Sequence, residues 1–341
     1  MNRVRVGFVG TGSMGQVAHL QNYLRLGDDV EIVALAEPRQ GLAQAVAARA
    51  GVGRVYESAE QMLAHEKLDA LVAPQPFTHH LQVVAPLYDA GLPIITEKPL
   101  AMSSAVGAEM LLRLDASATP FHMVAYHKRS DPAVERAKEL VARLRASGEW
   151  GELRYVRMTM AGTGWALGAF DDMLTTNEPI RVTPADVPAD DPYVSFVNFY
   201  IHQVNLVRHL LGESYSVKYG DRAGRLLIGE SLSGVPVSLE MEPWGEPGWD
   251  ESIIVGFDQG QVRVMLPPPL ASRQAGVLEV RGDLGQGYQS ARPMLPPTHA
   301  MLQQAKNFVR AVRGEIAPPS DAHDAYLDLV VADEYFAVRD S

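Results

Sequence analysis

A short apolar strand that runs directly into a glycine turn is the feature that most constrains this chain. Residues 4–15 read Val-Arg-Val-Gly-Phe-Val-Gly-Thr-Gly-Ser-Met-Gly, with Gly10, Gly12 and Gly15 where a strand would become a helix. In a dinucleotide-binding turn, the first glycine permits the tight turn and the second lets the backbone approach a pyrophosphate. The third lets the helix pack close to the strand, and the unpaired amides that begin the helix attract phosphate. The segment therefore predicts a dinucleotide site in a Rossmann fold.

A carboxylate follows the second apolar strand, 30–36. Glu37 lies 22 residues beyond Gly15, close to the spacing at which an acid accepts hydrogen bonds from the adenosine ribose. Such a carboxylate repels a 2′-phosphate, so we predict NAD as the cofactor. Arg39 leaves NADP open, because its guanidinium could bind that phosphate if Glu37 swings away. The alternative is a tight strand-helix turn without a ligand.

Composition limits the class of protein. With 341 residues, 47% of them hydrophobic, the chain can form two domains with packed cores. It contains no cysteine, which excludes disulfides, thiolate metal sites and cysteine nucleophiles. A net charge of −11 argues against a nucleic-acid partner, because phosphate backbones are bound by clustered Lys and Arg. We find no signal-peptide pattern and no bilayer-spanning run, and therefore expect a cytoplasmic protein without a membrane partner.

Strands alternate with helical segments in the first part of the chain. After the glycine turn, apolar strand-like segments occur at 30–36, 70–73, 93–96 and 121–126. Helices are predicted between them over 14–26, 40–50, 59–65, 78–90 and about 104–116, with Ser58 as the cap of the third. This alternation indicates a doubly wound parallel sheet with helices on both faces.

Beyond residue 126 strand-like runs joined by short turns dominate, which indicates a largely antiparallel sheet. We therefore predict an α/β protein with an N-terminal Rossmann domain over 1–126. A C-terminal α+β domain with an open, largely antiparallel sheet follows over 127–341 and binds the substrate. The segment 162–193 has no clean period, and we expect it to form a substrate-facing loop.

One segment of the second half carries a polar face. On a predicted helix over 195–211, Asn198, His202, Asn205 and His209 recur at helical spacing and share one side. For any one of them alone, a hydrogen-bonded residue at a domain interface is the more common explanation. Their alignment favours a polar site wall. His202 is then the best candidate for proton transfer, because the ordinary pKa of histidine is near neutrality.

Lys98 is the second candidate for chemistry. It stands between Glu97 and Pro99, just after a predicted central strand, and ligands of open parallel sheets bind at the carboxyl ends of strands. We therefore predict that Lys98 points into the cofactor crevice, the alternative being a surface lysine. His79 and His80 begin a helix near the same crevice. Adjacent helical side chains point apart and no carboxylate is suitably spaced, so we predict no metal site.

Taken together, these motifs resemble the Gfo/Idh/MocA family, the glucose-fructose oxidoreductase, inositol dehydrogenase and MocA-like group of dehydrogenases. The resemblance covers nearly the whole chain. It rests on Gly-Phe-Val-Gly-Thr-Gly-Ser-Met-Gly at 7–15, Glu97-Lys98-Pro99-Leu100, the run 126–132, Gly-Glu-Leu-Arg at 151–154, and the helix carrying His202 ahead of Leu210-Leu211-Gly212. It implies a nicotinamide cofactor, reversible oxidation of a sugar, cyclitol or related polyol, and catalytic roles for Lys98 and His202. It also implies a homo-oligomer, a dimer or tetramer, assembled through the C-terminal sheet.

The predicted site residues form two sets. Those expected to bind the cofactor are Gly10, Gly12, Ser13, Met14, Gly15, Glu37, Pro38, Arg39, Pro74, Gln75, His80, Glu97 and Lys98. Those expected to bind the substrate are Lys98, Tyr126, Arg129, Trp165, Asn198, His202 and Asn205. Within these sets we expect Lys98 to hydrogen-bond the reacting oxygen and His202 to exchange its proton. Asn198, the third predicted catalytic residue, is expected to orient substrate hydroxyls together with Asn205.

The sequence departs from the family pattern near both sets. Asn198 and Asn205 stand where aspartates are typical, and Pro74-Gln75 stands where Thr-Pro-Asn is common. A neutral amide at Asn198 cannot stabilise an imidazolium as a carboxylate does. We therefore expect His202 to be protonated less readily than in relatives that carry the aspartate.

These observations predict an NAD(P)-dependent dehydrogenase that acts on CH–OH groups. Hydride passes between C4 of nicotinamide and a secondary alcohol or its ketone, while the protein positions and polarises the substrate. Two alternatives stay open. One is a redox-neutral enzyme that uses tightly held NAD transiently around an elimination or glycoside cleavage, and the other is a cofactor-sensing regulator without turnover.

Overall fold

The chain divides into two compact units in the computed structural model, which describes residues 2–179, 191–242, 248–285 and 287–341. The described residues of 1–126, 168–194 and 304–326 form the first unit, and those of 127–167, 195–303 and 327–341 form the second. The predicted loop over 162–193 includes 180–190, which lie outside the described residues.

Two later segments belong to the first unit, although the sequence places them in the C-terminal domain. Phe308 packs edge-on against Tyr23 and Phe121, with ring centroids 6.4 and 6.0 Å apart. The carbonyl of Ser320 accepts a hydrogen bond from the amide of Val124 at 2.9 Å. A contiguous division of the chain omits these contacts, because they join residues far apart in sequence.

The first unit is built on a parallel sheet. Its strands are β1 (Val4–Val9), β2 (Val30–Ala36), β3 (Val55–Tyr56), β4 (Ala70–Ala73), β5 (Ile94–Thr96) and β6 (His122–Val124). They are ordered β3-β2-β1-β4-β5-β6, and every neighbouring pair is parallel. The order reverses between β1 and β4, so the carboxyl ends of these strands flank the switch point where such sheets bind ligands. The predicted Rossmann sheet is confirmed.

The helix predicted over 14–26 is π-helical at Gly15–Leu20 and α-helical only at Gln21–Leu24. The α-helices of the first unit otherwise follow the sequence signals, except in one further region. They are α1 (Gln21–Leu24), α2 (Gln40–Ala50), α3 (Ala59–His65) and α4 (Ser104–Asp115). The side chain of Ser58 accepts a hydrogen bond from the amide of Gln61 and caps α3, as predicted. The regular helix expected over 78–90 is wrong. That segment is a succession of 3₁₀ and π-helical turns, and Pro86, which has no amide hydrogen, lies at the start of the last one.

The second unit carries an eight-stranded sheet. Its strands are β7 (Leu153–Gly162), β8 (Tyr215–Gly220), β9 (Leu226–Ser231), β10 (Pro236–Met241), β11 (Trp249–Phe257), β12 (Gly260–Leu266), β13 (Val277–Asp283) and β14 (Tyr288–Ala291). Their order is β14-β13-β12-β11-β7-β10-β9-β8. Among the described ladders of this second sheet, only the pairing of β10 with β7 is parallel, so the predicted largely antiparallel sheet is confirmed.

The helices that follow in the chain are α5 (Pro132–Ser147), α6 (Pro192–Phe199), α7 (Ile201–Leu211), α8 (Ala300–Val312) and α9 (Ala322–Arg339). The single helix expected over 195–211 is wrong, since α6 and α7 are separated at Tyr200. There Gln203 and Val204 both donate amide hydrogen bonds to the carbonyl of Tyr200, at 3.0 and 3.1 Å. The run 193–200 consists of aromatic, β-branched, Ser and Asn residues, all with weak helix propensity. None of the helices in the described ranges is long and apolar enough to cross a membrane.

Candidate active site

The glycine turn of the first unit has the geometry that a pyrophosphate requires. Gly10 has a φ of 99°, in the region that favours glycine. A Cβ at Gly15 would lie 2.9 Å from the carbonyl oxygen of Gly10, so only glycine lets the following helix pack this closely. At Gly12 the nearest side-chain atom would be 3.7 Å away, on Arg39. The turn therefore leaves its middle glycine accessible, as a dinucleotide site needs.

Glu37 reaches back from the end of β2 to this turn. Its carboxylate accepts hydrogen bonds from the amide of Thr11 at 2.9 Å and from Nε of Arg39 at 2.7 Å, and the residue is only 3% exposed. Burial acts to raise the pKa of Glu37, but the hydrogen bonds from Arg39 and Thr11 outweigh it and hold the pKa below its usual value. An anionic carboxylate thus lies beside the glycine turn, where a ribose hydroxyl would donate to it.

Gln75 and His80 brace the turn after β4. The amide nitrogen of Gln75 donates to the carbonyl of Val9 at 2.6 Å. The ring nitrogens of His80 lie 2.9 Å from the carbonyl oxygen of Leu100 and 3.0 Å from that of Gln75, and burial lowers the pKa of His80. His80 is completely buried, and its two ring contacts connect the backbone at Gln75 with the backbone at Leu100.

The other residues predicted around the turn differ in exposure. Ser13 is exposed, Met14 and Pro38 are half-buried, and Pro74 is buried. Ser13 is therefore the one of these four side chains most open to solvent.

Glu97 and Lys98 follow β5, as the sequence predicts. One oxygen of Glu97 lies 2.8 Å from Nε2 of His19, and the other accepts the amide of Lys98 at 3.3 Å. The Lys98–Pro99 peptide bond is cis. Sequence reasoning missed His19, although its place one helical turn after Gly15 was an available signal. The contacts of Glu97 fix the backbone that presents the half-buried Lys98.

A buried hydrogen-bonded chain supports the same strand end. The hydroxyl of Thr96 donates to the carbonyl of Glu97 at 3.1 Å and lies 2.7 Å from Nε2 of His122. Nδ1 of His122 lies 2.8 Å from the hydroxyl of Tyr88. Since the Thr96 hydrogen is already used, we infer that Nε2 carries the proton and Nδ1 accepts one from Tyr88. Burial lowers the pKa of His122 to about 3, which keeps the ring neutral.

In the second unit, His202 lies in the first turn of α7. Its ring contacts that of His127 edge-on, with centroids 4.8 Å apart. His127 is buried in the helical turn over 127–130. The sequence analysis included His127 only within the run 126–132, so its proximity to His202 was missed. Asn198 is half-buried in α6, on the other side of the Tyr200 junction, and Trp165 is exposed.

Arg129 and Asn205 lie in a buried charged network. Nε of Arg129 donates to the amide oxygen of Asn205 at 2.6 Å, and the amide nitrogen of Asn205 donates to Asp328 at 2.7 Å. Arg208 donates to the other oxygen of Asp328 at 2.7 Å. Asn205 and Asp328 are 1% and 0% exposed. The two arginines and the carboxylate therefore fix α7, and Asn205 bridges them. Tyr126, another predicted substrate contact, is also buried and ends the first segment of the first unit.

A second buried ion pair lies beside α7. The ammonium of Lys128 bonds to both oxygens of Glu251, and Gln203 donates to the same carboxylate at 2.6 Å. Burial lowers the pKa of Lys128, which the charge of Glu251 opposes. Sequence analysis missed this cluster, because Glu251 is far from Lys128 in the chain and carries no motif. Within the described ranges, no group of His, Asp and Glu is arranged to hold a metal ion.

The chain is similar to known oxidoreductases along nearly its whole length. Residues 4–125 match the Gfo/Idh/MocA family, an oxidoreductase family with an NAD-binding Rossmann fold. Inositol 2-dehydrogenase of Leifsonia xyli subsp. xyli is 27% identical over 337 residues, which cover 95% of this chain and 89% of the relative.

Solved structures show the same fold. An NAD binding oxidoreductase from Klebsiella pneumoniae has a TM-score of 0.76 at 18% identity, covering 99% of this chain and 97% of that one. The WlbA dehydrogenase from Bordetella pertussis, in complex with NADH and UDP-GlcNAcA, has a TM-score of 0.71 at 19% identity, covering 100% and 97%.

These similarities agree with the resemblance carried by the glycine turn, the Glu97-Lys98-Pro99 motif and the helix with His202. The NAD-binding description of the matched family confirms the predicted nicotinamide cofactor and leaves NADP open. Residues 4–125 of the chain match the Gfo/Idh/MocA oxidoreductase family with its NAD-binding Rossmann fold, and the similarity to inositol 2-dehydrogenase extends over 95% of the chain.

Proposed function

We propose that this protein is a dehydrogenase that oxidises a secondary alcohol of a cyclitol, sugar or related polyol. The observation that carries the proposal is the position of Lys98, directly after β5 of the NAD-binding unit, with its backbone held by Glu97 and with Glu97 held by His19. Similarity to inositol 2-dehydrogenase over 95% of the chain supports a cyclitol as the substrate.

The bound NAD supplies the hydride acceptor, and the chain supplies orientation and proton transfer. The ammonium of Lys98 hydrogen-bonds the reacting oxygen and stabilises the negative charge that develops there. His202 accepts the hydroxyl proton, and its contact with His127 limits the orientations of the ring. Asn198 donates to or accepts from a substrate hydroxyl, and the exposed ring of Trp165 offers an apolar surface to the sugar ring.

Arg129 and Asn205 have a different role in this proposal. Their polar atoms bond to each other and to Asp328 inside the second unit, so they act as positioning residues for α7 and thereby for His202. Tyr126 is buried within the first unit.

The test is incubation of the purified protein with NAD and a panel of polyols that includes myo-inositol and common aldoses, followed by absorbance of reduced nicotinamide and by product analysis. We expect stoichiometric NAD reduction with a cyclitol or sugar. Product without net NADH would instead identify the redox-neutral enzyme. NAD binding without either signal would identify a sensor.

A further inference from the structure

A segment from the middle of the chain lies against α2 and the residues that follow the glycine turn. We call residues 172–178 the strap. Gln16, just after the glycine turn, donates to the carbonyl of Leu174 at 2.9 Å and accepts the Leu174 amide at 3.1 Å. Arg49 of α2 donates to the carbonyl of Asp172 at 2.6 Å and to the side chain of Gln16 at 2.8 Å. The strap is therefore anchored to the two helices that follow β1 and β2.

The last residue of the strap places its carboxylate on the start of α2. The two oxygens of Glu178 accept the amides of Gly41 at 2.9 Å and Leu42 at 3.0 Å, and the hydroxyl of Thr176 donates at 2.9 Å. A Cβ on Gly41 would lie 2.9 Å from the nearer carboxylate oxygen, so the absence of a side chain permits this approach. The hydrogen bonds from Gly41 and Leu42 lower the pKa of Glu178, which is therefore ionised at neutral pH.

Arg39 pairs with Glu37 and also interacts with the charge of Glu178. It precedes α2 and binds Glu37 through Nε at 2.7 Å and Nη2 at 3.0 Å. Its pKa is raised first by the hydrogen bond with Glu37 and in smaller part by the negative charges of Glu37 and Glu178. In a Rossmann fold, Glu37 is placed to bind the adenosine ribose, and a 2′-phosphate on that ribose needs a nearby arginine and free amides. Here protein carboxylates already engage those groups.

We propose that Glu178 is a cofactor-specificity residue whose carboxylate occupies the start of α2 and excludes the 2′-phosphate of NADP. The preference for NAD then rests on two carboxylates from different parts of the chain, Glu37 and Glu178. NADP binding requires the carboxylate of Glu178 to move, and it still leaves that carboxylate close to the 2′-phosphate, a second anion. NAD binding leaves the strap in place. This inference depends on the NAD-binding fold and not on the polyol substrate, so its test needs no turnover.

The experiment measures dissociation constants of NADH and NADPH by fluorescence titration for wild type, Glu178→Gln and Glu178→Ala. Glu178→Gln removes the charge and keeps the size, and Glu178→Ala also vacates the position. We expect each variant to bind NADPH about tenfold more tightly, because a like-charge contact is removed, while NADH affinity changes less than about threefold. The matched control is Glu60→Gln, which removes an exposed carboxylate from the first turn of α3 and should change neither constant.

A direct probe of the phosphate is the competition of 2′-AMP and 5′-AMP with NADH. Both Glu178 variants should favour 2′-AMP selectively. An unchanged NADPH-to-NADH affinity ratio in both variants would overturn the proposal. Equal tightening for both cofactors would also overturn it, because the strap would then obstruct the whole site rather than read the 2′ position.

Discussion

Lys98 is the residue whose role can be separated most cleanly from cofactor binding. Lys98→Ala should leave NAD affinity nearly intact and lower kcat by about two orders of magnitude or more, since it removes a positioned hydrogen-bond donor from the reacting oxygen. The measurement compares kcat and the NAD dissociation constant with those of Lys218→Ala, which truncates an exposed lysine on β8. Wild-type turnover in the Lys98 variant would make Lys98 a bystander.

Asn198 tests the electrostatics around His202. A carboxylate at this position stabilises imidazolium, so Asn198→Asp should move the acidic limb of the pH–rate profile to higher pH. The profile is recorded for wild type, Asn198→Asp and Ser195→Asp, the last adding a charge at an exposed position in α6. The shift should be larger for the Asn198 variant. An acidic limb that stays in place would mean that residue 198 and His202 are not electrostatically coupled across the Tyr200 junction.

At the scale of elements, the end of β5 depends on a neutral histidine. The pKa of His122 is about 3 in the folded protein, below the ordinary value of about 6.5 in an unfolded chain. As the pH falls, His122 therefore takes up a proton in the unfolded chain but stays neutral in the folded protein. The stabilising contribution is fully present above pH 6.5 and is lost between pH 6.5 and 3, reaching a loss of about 3 kcal/mol near pH 4.5.

Urea unfolding at pH 7.5 and 4.5 measures this contribution. The free energy of unfolding of the wild type should fall by about 3 kcal/mol more than that of His122→Gln. The control His65→Gln changes an exposed histidine of α3 and should behave like the wild type. Equal pH dependence in wild type and His122→Gln would contradict the buried, neutral ring.

Elements with a uniform pattern could be predicted from sequence, and elements shaped by distant contacts could not. The bounds of α2 and β4 agree with the sequence signals, because helix formers and a short apolar run dominate there. The strand β14 was missed since its four residues are all exposed and carry no apolar alternation. The Tyr200 junction was missed because the polar residues at helical spacing favoured one continuous helix, although the run 193–200 has weak helix propensity.

The candidate site shows the same limit. Gly10, Glu37 and Lys98 lie in local motifs whose spacing is readable along the chain. The contact of Glu178 with the start of α2 becomes visible only when the fold brings a later segment against those motifs. Pairings across long sequence separations depend on tertiary geometry, which periodicity does not encode.

At the scale of the whole molecule, the open sheet of the second unit is the surface on which we propose that copies of this chain assemble. Tyr155 and Tyr219 are large exposed residues on β7 and β8, and Arg157 and Glu240 pair on the neighbouring β7 and β10. Aromatic residues and arginine are enriched at interfaces. Light scattering after size-exclusion chromatography should give the mass of a dimer or tetramer, and Tyr155→Glu should lower it. A monomer at micromolar concentration would contradict this assembly.

Because the chain leaves the first unit and returns to it, the N-terminal segment alone is not a complete NAD-binding domain. A fragment cut after Tyr126 lacks Phe308, and so uncovers the rings of Tyr23 and Phe121, and it leaves the amide of Val124 without the carbonyl of Ser320. Such a fragment should aggregate or bind 8-anilinonaphthalene-1-sulfonate, in contrast to the full chain. Recombination that exchanged only the N-terminal segment between relatives would therefore disrupt the core of the first unit. Cofactor and substrate preference would then be inherited together.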